Sequence, residues 1–407
     1  MTTLNKRGLT VSFFFLFFPL YTTPWIIQGM IRLQKWAYIL WAVFMGLLGI
    51  LYPPTGDFYR YQMDYYTSLK LDFNTFIYFA GLKFDYILSF LSYYLGVFNL
   101  NFDLSRFIYN FIAYCLLGKL FMDLIQDNPN LYGSTKMRFR ILILLFSFSI
   151  PTYLYRYGLS TAMFLYGAYY VSVRGQRTKW VFIILAVLNH FSFIVFLAIF
   201  IFHRFTFFNW KKSVVIGILI FSLFFSAIDV SSIFYMLPIN IIERYSIYID
   251  GYYAADYLED FSWKLKLSII IGKLSCYIIC FFYIIFYTEE HKKLNSLVNG
   301  ILLLVVISTP FATIHERILG VFTLAATIHI LYYYKETTRY WNCIRIMFYC
   351  QVLSIIMGAW TIRRQLAISD ISHIAYQSTF QVFMHTYDAK WLDNFVFKDG
   401  DFKRFDK

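Results

Sequence analysis

Long apolar runs separated by short polar connectors fill this chain from residue 11 to residue 362. About 20 consecutive apolar residues cross a bilayer as a helix. The runs Trp36–Tyr52, Leu104–Ile125, Ile141–Leu154, Trp180–Phe202, Ser213–Ala227, Leu267–Tyr287, Leu297–Phe311, Ile318–Tyr334 and Ile346–Ile362 therefore predict membrane helices. Two less regular runs join them: Val11–Met30, interrupted by Pro19 and Pro24, and Tyr157–Val173. Together they predict roughly ten to twelve spans in one bundle, since lipid tolerates only helices or closed barrels across its core. The expected fold is all-α and polytopic, one transmembrane domain over residues 1–362 with outward loops at 53–103 and 231–264. A polar tail, 363–407, reads as solvated.

Two stretches resist a simple count. Within Phe73–Leu95, the positions Phe73, Phe76, Ile77, Ala80, Phe84, Ile87, Leu88 and Leu91 keep the spacing of one helical face, with Lys83, Asp85 and Ser89 between them. That pattern predicts a helix lying in the interface; a weakly apolar spanning helix is the alternative. Trp180–Phe202 is long enough to cross once, yet basic residues flank both its ends. It reads as a hairpin with His190 at the tip, unless the charge rule fails there and the downstream half inverts. Lys6 and Arg7 raise the same conflict with an outward N-terminus; no small-x-small cleavage site follows them, so the segment reads as retained.

Composition agrees: the chain is 59% hydrophobic, 23% aromatic and only 14% charged, far from a soluble domain. Its net charge of +13 is gathered in short connectors. These hold Arg32/Lys35, Lys136/Arg138/Arg140, Arg174/Arg177/Lys179, Arg204/Lys211/Lys212, Lys292/Lys293 and Lys335/Arg339/Arg345. Short basic loops mark the cytoplasmic side, so the charge is no nucleic-acid footprint. The five cysteines lie in or beside apolar runs and read as buried thiols. No nucleotide-binding glycine motif occurs.

The outward set then holds the candidate chemistry. Gly56-Asp57-Phe58-Tyr59-Arg60-Tyr61-Gln62-Met63-Asp64 packs charges among tyrosines. Asp57 suits a base toward a hydroxyl, and Arg60, Tyr61 and Asp64 suit a polar substrate; a helix cap beside interfacial tyrosines is the plain alternative. Arg156 interrupts two apolar runs with no acid beside it. An arginine in the membrane costs about 2.5–3.5 kcal/mol on insertion scales, which argues for an anionic partner, unless it snorkels to headgroups. His190, in Asn189-His190-Phe191-Ser192, is a base or a structural link between helices. His315-Glu316-Arg317 brings an imidazole, an acid and a guanidinium to one helix start, or forms a locally neutral pair. Arg244-Tyr245 opens a tyrosine-rich loop suited to sugar rings or to an aromatic belt. Lys273, inside an apolar run, reads as pairing within the bundle. None of these constellations clusters carboxylates as Mg²⁺ sites do, so neither metal nor cofactor is expected.

These residues resemble the EpsG/Wzy group of bacterial polysaccharide polymerases. The resemblance rests on Gly56-Asp57 with spaced tyrosines, Arg156 before a small-residue helix, His190-x-Ser192, Arg244-Tyr245 and His315-Glu316-Arg317, over roughly residues 30–335. Tyr52-Pro53-Pro54 and Tyr153-Leu154-Tyr155-Arg156-Tyr157 depart from the arginine and the Asn-x-x-Arg-Gln that many members carry. The resemblance implies a multi-pass protein of the bacterial inner membrane and an O-antigen or capsule polymerase. Its substrate would be undecaprenyl-pyrophosphate-linked oligosaccharide, joined at the periplasmic face by metal-independent glycosyl transfer. Asp57, His190, Arg156 and Arg317 would be catalytic; Arg60, Tyr61, Asp64, Arg244, Tyr245, His315 and Glu316 would bind substrate. Membrane lipids and a chain-length regulator are the implied partners. A lipid-linked oligosaccharide flippase, a polytopic O-acyltransferase and a polymer ligase are the alternatives.

Overall fold

The computed structural model describes residues 6–83, 86–146, 155–225, 262–387 and Trp391. Among them the chain is helical throughout, with no strand. The first half holds α1 (Lys6–Phe17), α2 (Thr23–Ile31), α3 (Lys35–Leu51), α4 (Asp57–Ser68), α5 (Phe73–Lys83), α6 (Tyr86–Val97) and α7 (Asp103–Asp127). A short α8 (Pro129–Tyr132) leads to α9 (Thr135–Phe146), α10 (Tyr155–Ser172), α11 (Trp180–Asn189), α12 (Phe193–Arg204) and α13 (Lys212–Phe225). The second half holds α14 (Trp263–Gly272), α15 (Leu274–Phe286), α16 (Lys292–Ile307), α17 (Ala312–Tyr332) and α18 (Thr338–Thr361). The described tail adds α19 (Arg363–Ile368), a 3-10 turn at Asp370–Ala375 and α20 (Thr379–Phe383). Four helical stretches are long and apolar enough to cross a membrane: Asp103–Asp127, Trp263–Phe286, Ala312–Tyr332 and Thr338–Thr361.

The core is the antiparallel pair α3–α7. Gly46 and Gly49 let the two backbones close: a Cβ at Gly46 would strike the Phe107 ring, and one at Gly49 would strike Asn110. Small residues at such a seam substitute for the hydrophobic drive that lipid removes between membrane helices. α10 lies against α7, its whole length buried between α7 and α11.

The basic connectors meet at one end of the bundle. Arg138 donates to the Ile31 carbonyl at 3.0 Å, Arg140 lies over Trp341, and Arg339 over Phe286. Lys212 donates to the Ile285 carbonyl at 3.2 Å, the His291 ring stacks on Tyr333, and Asn128 donates to the Leu331 carbonyl at 2.9 Å. Arg174 closes the set with two 2.8 Å bonds to Asp127. Among the described helices, α7, α10, α15, α17 and α18 each have one terminus at this end.

The stretches that resisted the count fold back on themselves. Asn189 at the tip of α11 meets Arg156 at the start of α10, whereas His203 on α12 bonds Ser172 at its end, 2.9 Å away. Phe193, Phe196 and Phe200 of α12 pass in turn along Phe164. The chain thus turns back at His190, and both basic flanks share the basic end. α1 and α2 do likewise around Pro19–Thr22, so that Arg7 bonds Gln28 and Gly8 packs on Trp36. Lys6 and Arg7 therefore sit with the other basic connectors. The Phe73–Leu95 segment is not one continuous helix. Phe73 and Phe76 of α5 pack on Tyr93 and Phe90 of α6, an antiparallel arrangement.

The described part of the tail docks at several points and leaves others exposed, among them Tyr376, Phe380 and Met384. Ile374, Val382 and Tyr387 are buried, Phe383 meets Phe107 edge-on, and Thr379 donates to the Phe15 carbonyl at 2.7 Å. Ile374, Val382 and Tyr387 are the side chains that dock, covering the end of α3 and α7 opposite the basic connectors. All five cysteines are free thiols.

Candidate functional site

Leucine-rich α3 ends at Tyr52-Pro53-Pro54, since proline cannot continue a helix. Gly56 then turns the chain with φ +58°, a conformation open to glycine at little cost, and α4 begins at Asp57. One turn later on the same face of α4 stands Tyr61. Its hydroxyl accepts a hydrogen bond from Arg156 Nη2, and the Arg156 guanidinium also lies over its ring, 4.2 Å from the centroid. Asp57 and Arg60 pair loosely at 3.7 Å, each 54% exposed, so this pair contributes little to stability. Asp64 is exposed as well.

Arg156 heads α10 beside the hairpin tip. Asn189 Nδ2 donates both to the Arg156 carbonyl and to Ser160 Oγ, each at 2.9 Å, and Ser160 donates onward to the Ala186 carbonyl at 3.0 Å. These bonds fix the tip. His190 then faces the Tyr157 ring edge-on at 5.4 Å and shares a 2.8 Å contact between its Nδ1 and Ser192 Oγ. The Ser192 contact leaves Nε2 for a ligand.

From the far half of the chain, Arg317 on the first turns of α17 reaches the other side of this group, 6.0 Å from the Tyr157 centroid. Arg317 and His190 meet the same Tyr157 ring, and Asn189, next to His190, bonds the Arg156 carbonyl. An imidazole, two guanidiniums and two tyrosines are thus drawn from α4, α10, the α11–α12 turn and α17. That set can bind an oxyanion through planar forks and offer a proton acceptor within the same cleft.

The rest of the His315-Glu316-Arg317 corner points elsewhere. Glu316 forms an ion pair with Lys273 at the α14–α15 junction. His315 Nδ1 lies 3.0 Å from the Val305 carbonyl and 3.4 Å from Ser308 Oγ on α16. The three neighbours in sequence therefore serve two structural links and one site residue, because successive residues on a helix point about 100° apart. Arg244 and Tyr245 lie outside the described residues.

Sequence reasoning missed the support beneath the site. Arg106 on α7 is 1% exposed; it pairs with Asp103, donates to the Tyr52 carbonyl, and lies between the Phe58 and Tyr387 rings at 5.7 and 5.5 Å. Next to it, Ser105 and the Tyr155 hydroxyl are 2.5 Å apart, and Tyr155 stacks on Tyr109 and Tyr61. The signal was present: an acid and an arginine three residues apart at the mouth of an apolar run form one helical face.

No curated protein and no solved structure matches this chain. The model of the EpsG family matches residues 34–378, a span that holds α3, the α4 turn, Arg156, His190, Arg317 and the first part of the docked tail. With most of its length inside that match, the chain belongs to the EpsG family, the family of Wzy-type polysaccharide polymerases.

Proposed function

We propose that this protein polymerises O-antigen or capsular repeat units carried on undecaprenyl pyrophosphate, at the periplasmic face of the bacterial inner membrane. The observation that carries the reading is the gathering of Arg156, Arg317 and His190 around the rings of Tyr61 and Tyr157, at the end of the bundle opposite the basic connectors. Short basic loops stay in the cytoplasm, so the opposite end faces out, where lipid-linked units are presented.

In this reading Arg156 and Arg317 grip the donor's pyrophosphate. The acceptor sugar hydroxyl attacks the donor's anomeric carbon as the bond from that carbon to the pyrophosphate oxygen breaks. The two guanidiniums take up the charge that grows on the departing lipid pyrophosphate, and preorganised charges in a water-poor cleft do this better than solvent. His190, or Asp57 one turn from Tyr61, receives the hydroxyl proton, a contribution of roughly 10²–10⁴-fold. On α4 the exposed Tyr66 and the half-buried Tyr59 offer ring faces to sugars. The α5–α6 pair, with Ile77, Tyr78 and Phe79 exposed, offers apolar surface to the polyprenyl chains.

The test is the surface-polysaccharide ladder from a strain lacking this chain, complemented with wild type, Arg156→Ala or Arg317→Ala. Collapse to core plus a single repeat unit in both variants is expected. A normal ladder whose sugars lack an acyl group would indicate an acyltransferase. Loss of even single units would indicate a flippase, and accumulation of long carrier-linked chains a ligase.

A further inference from the structure

Outside the site just described, three metal-competent side chains converge in the docked tail. Asp370 and His373 come from the 3-10 turn and His385 from the segment after α20, and their donor atoms all lie within 4.8 Å of one another. His385 Nε2 approaches one oxygen of Asp370 at 3.2 Å and His373 Nε2 approaches the other at 3.8 Å. The nearer contact lacks the alignment of a hydrogen bond, and His385 Nε2 is buried with no hydrogen-bond partner. The two imidazole rings are perpendicular, with centroids 5.6 Å apart. Two imidazoles thus aim at one carboxylate without bonding to it.

The surroundings hold that arrangement. The Asp370 amide donates to the Tyr387 hydroxyl at 3.0 Å, which donates to the Leu51 carbonyl at 2.5 Å, while the Tyr387 amide donates to Asp103 at 3.2 Å. The backbone on either side of the triad is thereby tied to the ends of α3 and α7. These bonds fix the backbone that carries the ligands, while His373 Nδ1 is buried with no hydrogen-bond partner. All three ligand side chains are partly buried, between 15% and 28% exposed, so an ion there would be screened from bulk water yet reachable.

We infer that Asp370, His373 and His385 bind a divalent transition metal ion, with Zn²⁺ the best fit, which staples the tail across the outer end of α3 and α7. Two neutral imidazoles and one carboxylate are a regular Zn²⁺ donor set, with bonds of about 2.0–2.2 Å. Mg²⁺ and Ca²⁺ prefer all-oxygen shells, and the absence of sulfur disfavours Cu⁺ among the described groups. From the triad, Tyr387, Arg106, Phe58 and Tyr155 lead in successive contact to Arg156. The ion's direct action is on the tail's docking, and that chain of contacts separates it from Arg156. The alternative occupant of the triad is a proton, which would make it an ion pair alone.

The experiment uses the full chain in detergent, purified on a tag free of histidine, stripped with EDTA and dialysed. Zn²⁺ is then titrated against wild type and the His373→Ala/His385→Ala variant, with bound metal measured by mass spectrometry. Wild type is expected to hold one more Zn²⁺ per chain than the variant, and single substitutions to weaken that site 10- to 100-fold. Amide exchange across residues 370–387 is expected to slow on adding Zn²⁺ to wild type and to stay unchanged in the variant. Should the alanine variant fail to fold, His373→Cys/His385→Cys supplies the second measurement: it is expected to keep the site and to gain Cd²⁺ affinity. Equal Zn²⁺ binding by wild type and either alanine variant, or tail exchange indifferent to Zn²⁺, would overturn the inference and leave an ion pair.

Discussion

Arg156 holds Tyr61 in two ways at once: Nη2 donates to the hydroxyl, and the guanidinium plane covers the ring at 4.2 Å. Lysine carries the same charge but cannot form the fork and the stack together. Arg156→Lys is therefore expected to reduce polymer at least tenfold by densitometry of the ladder, with the protein present at normal levels. Tyr61→Phe keeps the ring and loses only the hydroxyl, so its effect is expected to be smaller. A normal ladder from Arg156→Lys would refute the planar-fork argument.

Glu316 and Lys273 form a link between α17 and the α14–α15 junction, with side chains 34% and 27% exposed. The pair sets the start of α17, and with it Arg317. Glu316→Gln or Lys273→Gln is expected to cost about 1.5 kcal/mol in stability, the low end for a hydrogen bond to a charged group, because solvent screens a pair about a third exposed. The exchange Glu316→Lys/Lys273→Glu is expected to recover much of it. Thermal unfolding in detergent measures both, and additive losses in the exchange variant would show that the contact is not what matters.

Asp103 and Arg106 are buried to 3% and 1% exposure. Removing one partner of such a pair strands the other, at about 3–5 kcal/mol, whereas replacing both with apolar residues is far milder. Asp103→Ala is expected to be severely destabilised and Asp103→Leu/Arg106→Met much closer to wild type. Asp103 also accepts from the Tyr387 amide, so amide exchange of the tail is expected to rise in both. An unprotected tail in wild type would contradict the docking.

Asp72 caps α5: its carboxylate accepts from the Asn74 and Thr75 amides at 3.0 Å and from the Thr75 hydroxyl at 2.7 Å. The bonds from Thr75, chiefly its amide, hold the Asp72 carboxyl below its usual range. A lowered folded-state value favours the ionised form. The cap is then intact above the ordinary aspartate range near 3.9 and is lost as pH falls through the lowered value. Exchange at Asn74 and Thr75 is expected to be flat from neutral pH down to about 4 once corrected for intrinsic rates, and to rise below. Asp72→Ala is expected to show the raised exchange at every pH.

Helix positions were legible because lipid imposes one rule on every spanning backbone, and Trp36–Tyr52 or Ile318–Tyr334 differ from α3 or α17 by a few residues. Fold-backs were harder. Apolar length alone does not separate one crossing from two half-length helices, and only the basic residues on both sides of Trp180–Phe202 betrayed the turn at His190. Arg156, His190 and Arg317 could be singled out because a charge or an imidazole in an apolar run demands a reason. Which neighbour of Arg317 faces the site could not be read, since that depends on the rotation of α17 against α15 and α16. The docked tail was hidden by its polarity: what seats it is Ile374, Val382 and the Tyr387 bonds, too sparse to leave a periodic pattern.

The tips of the two fold-backs, Pro19–Thr22 and His190–Ser192, carry no fixed charge. Each pair of short helices can enter the bilayer from the side that keeps its flanks, with no cation hauled across at about 2.5–3.5 kcal/mol apiece. Neither helix of the second pair is long enough to be stable in lipid alone, so its insertion depends on a seat already prepared. α10 is that seat: it precedes the pair in synthesis and offers Ser160 and Gly167 to α11. Arg156 thus precedes His190 in synthesis, and Arg317, on α17, joins the group last.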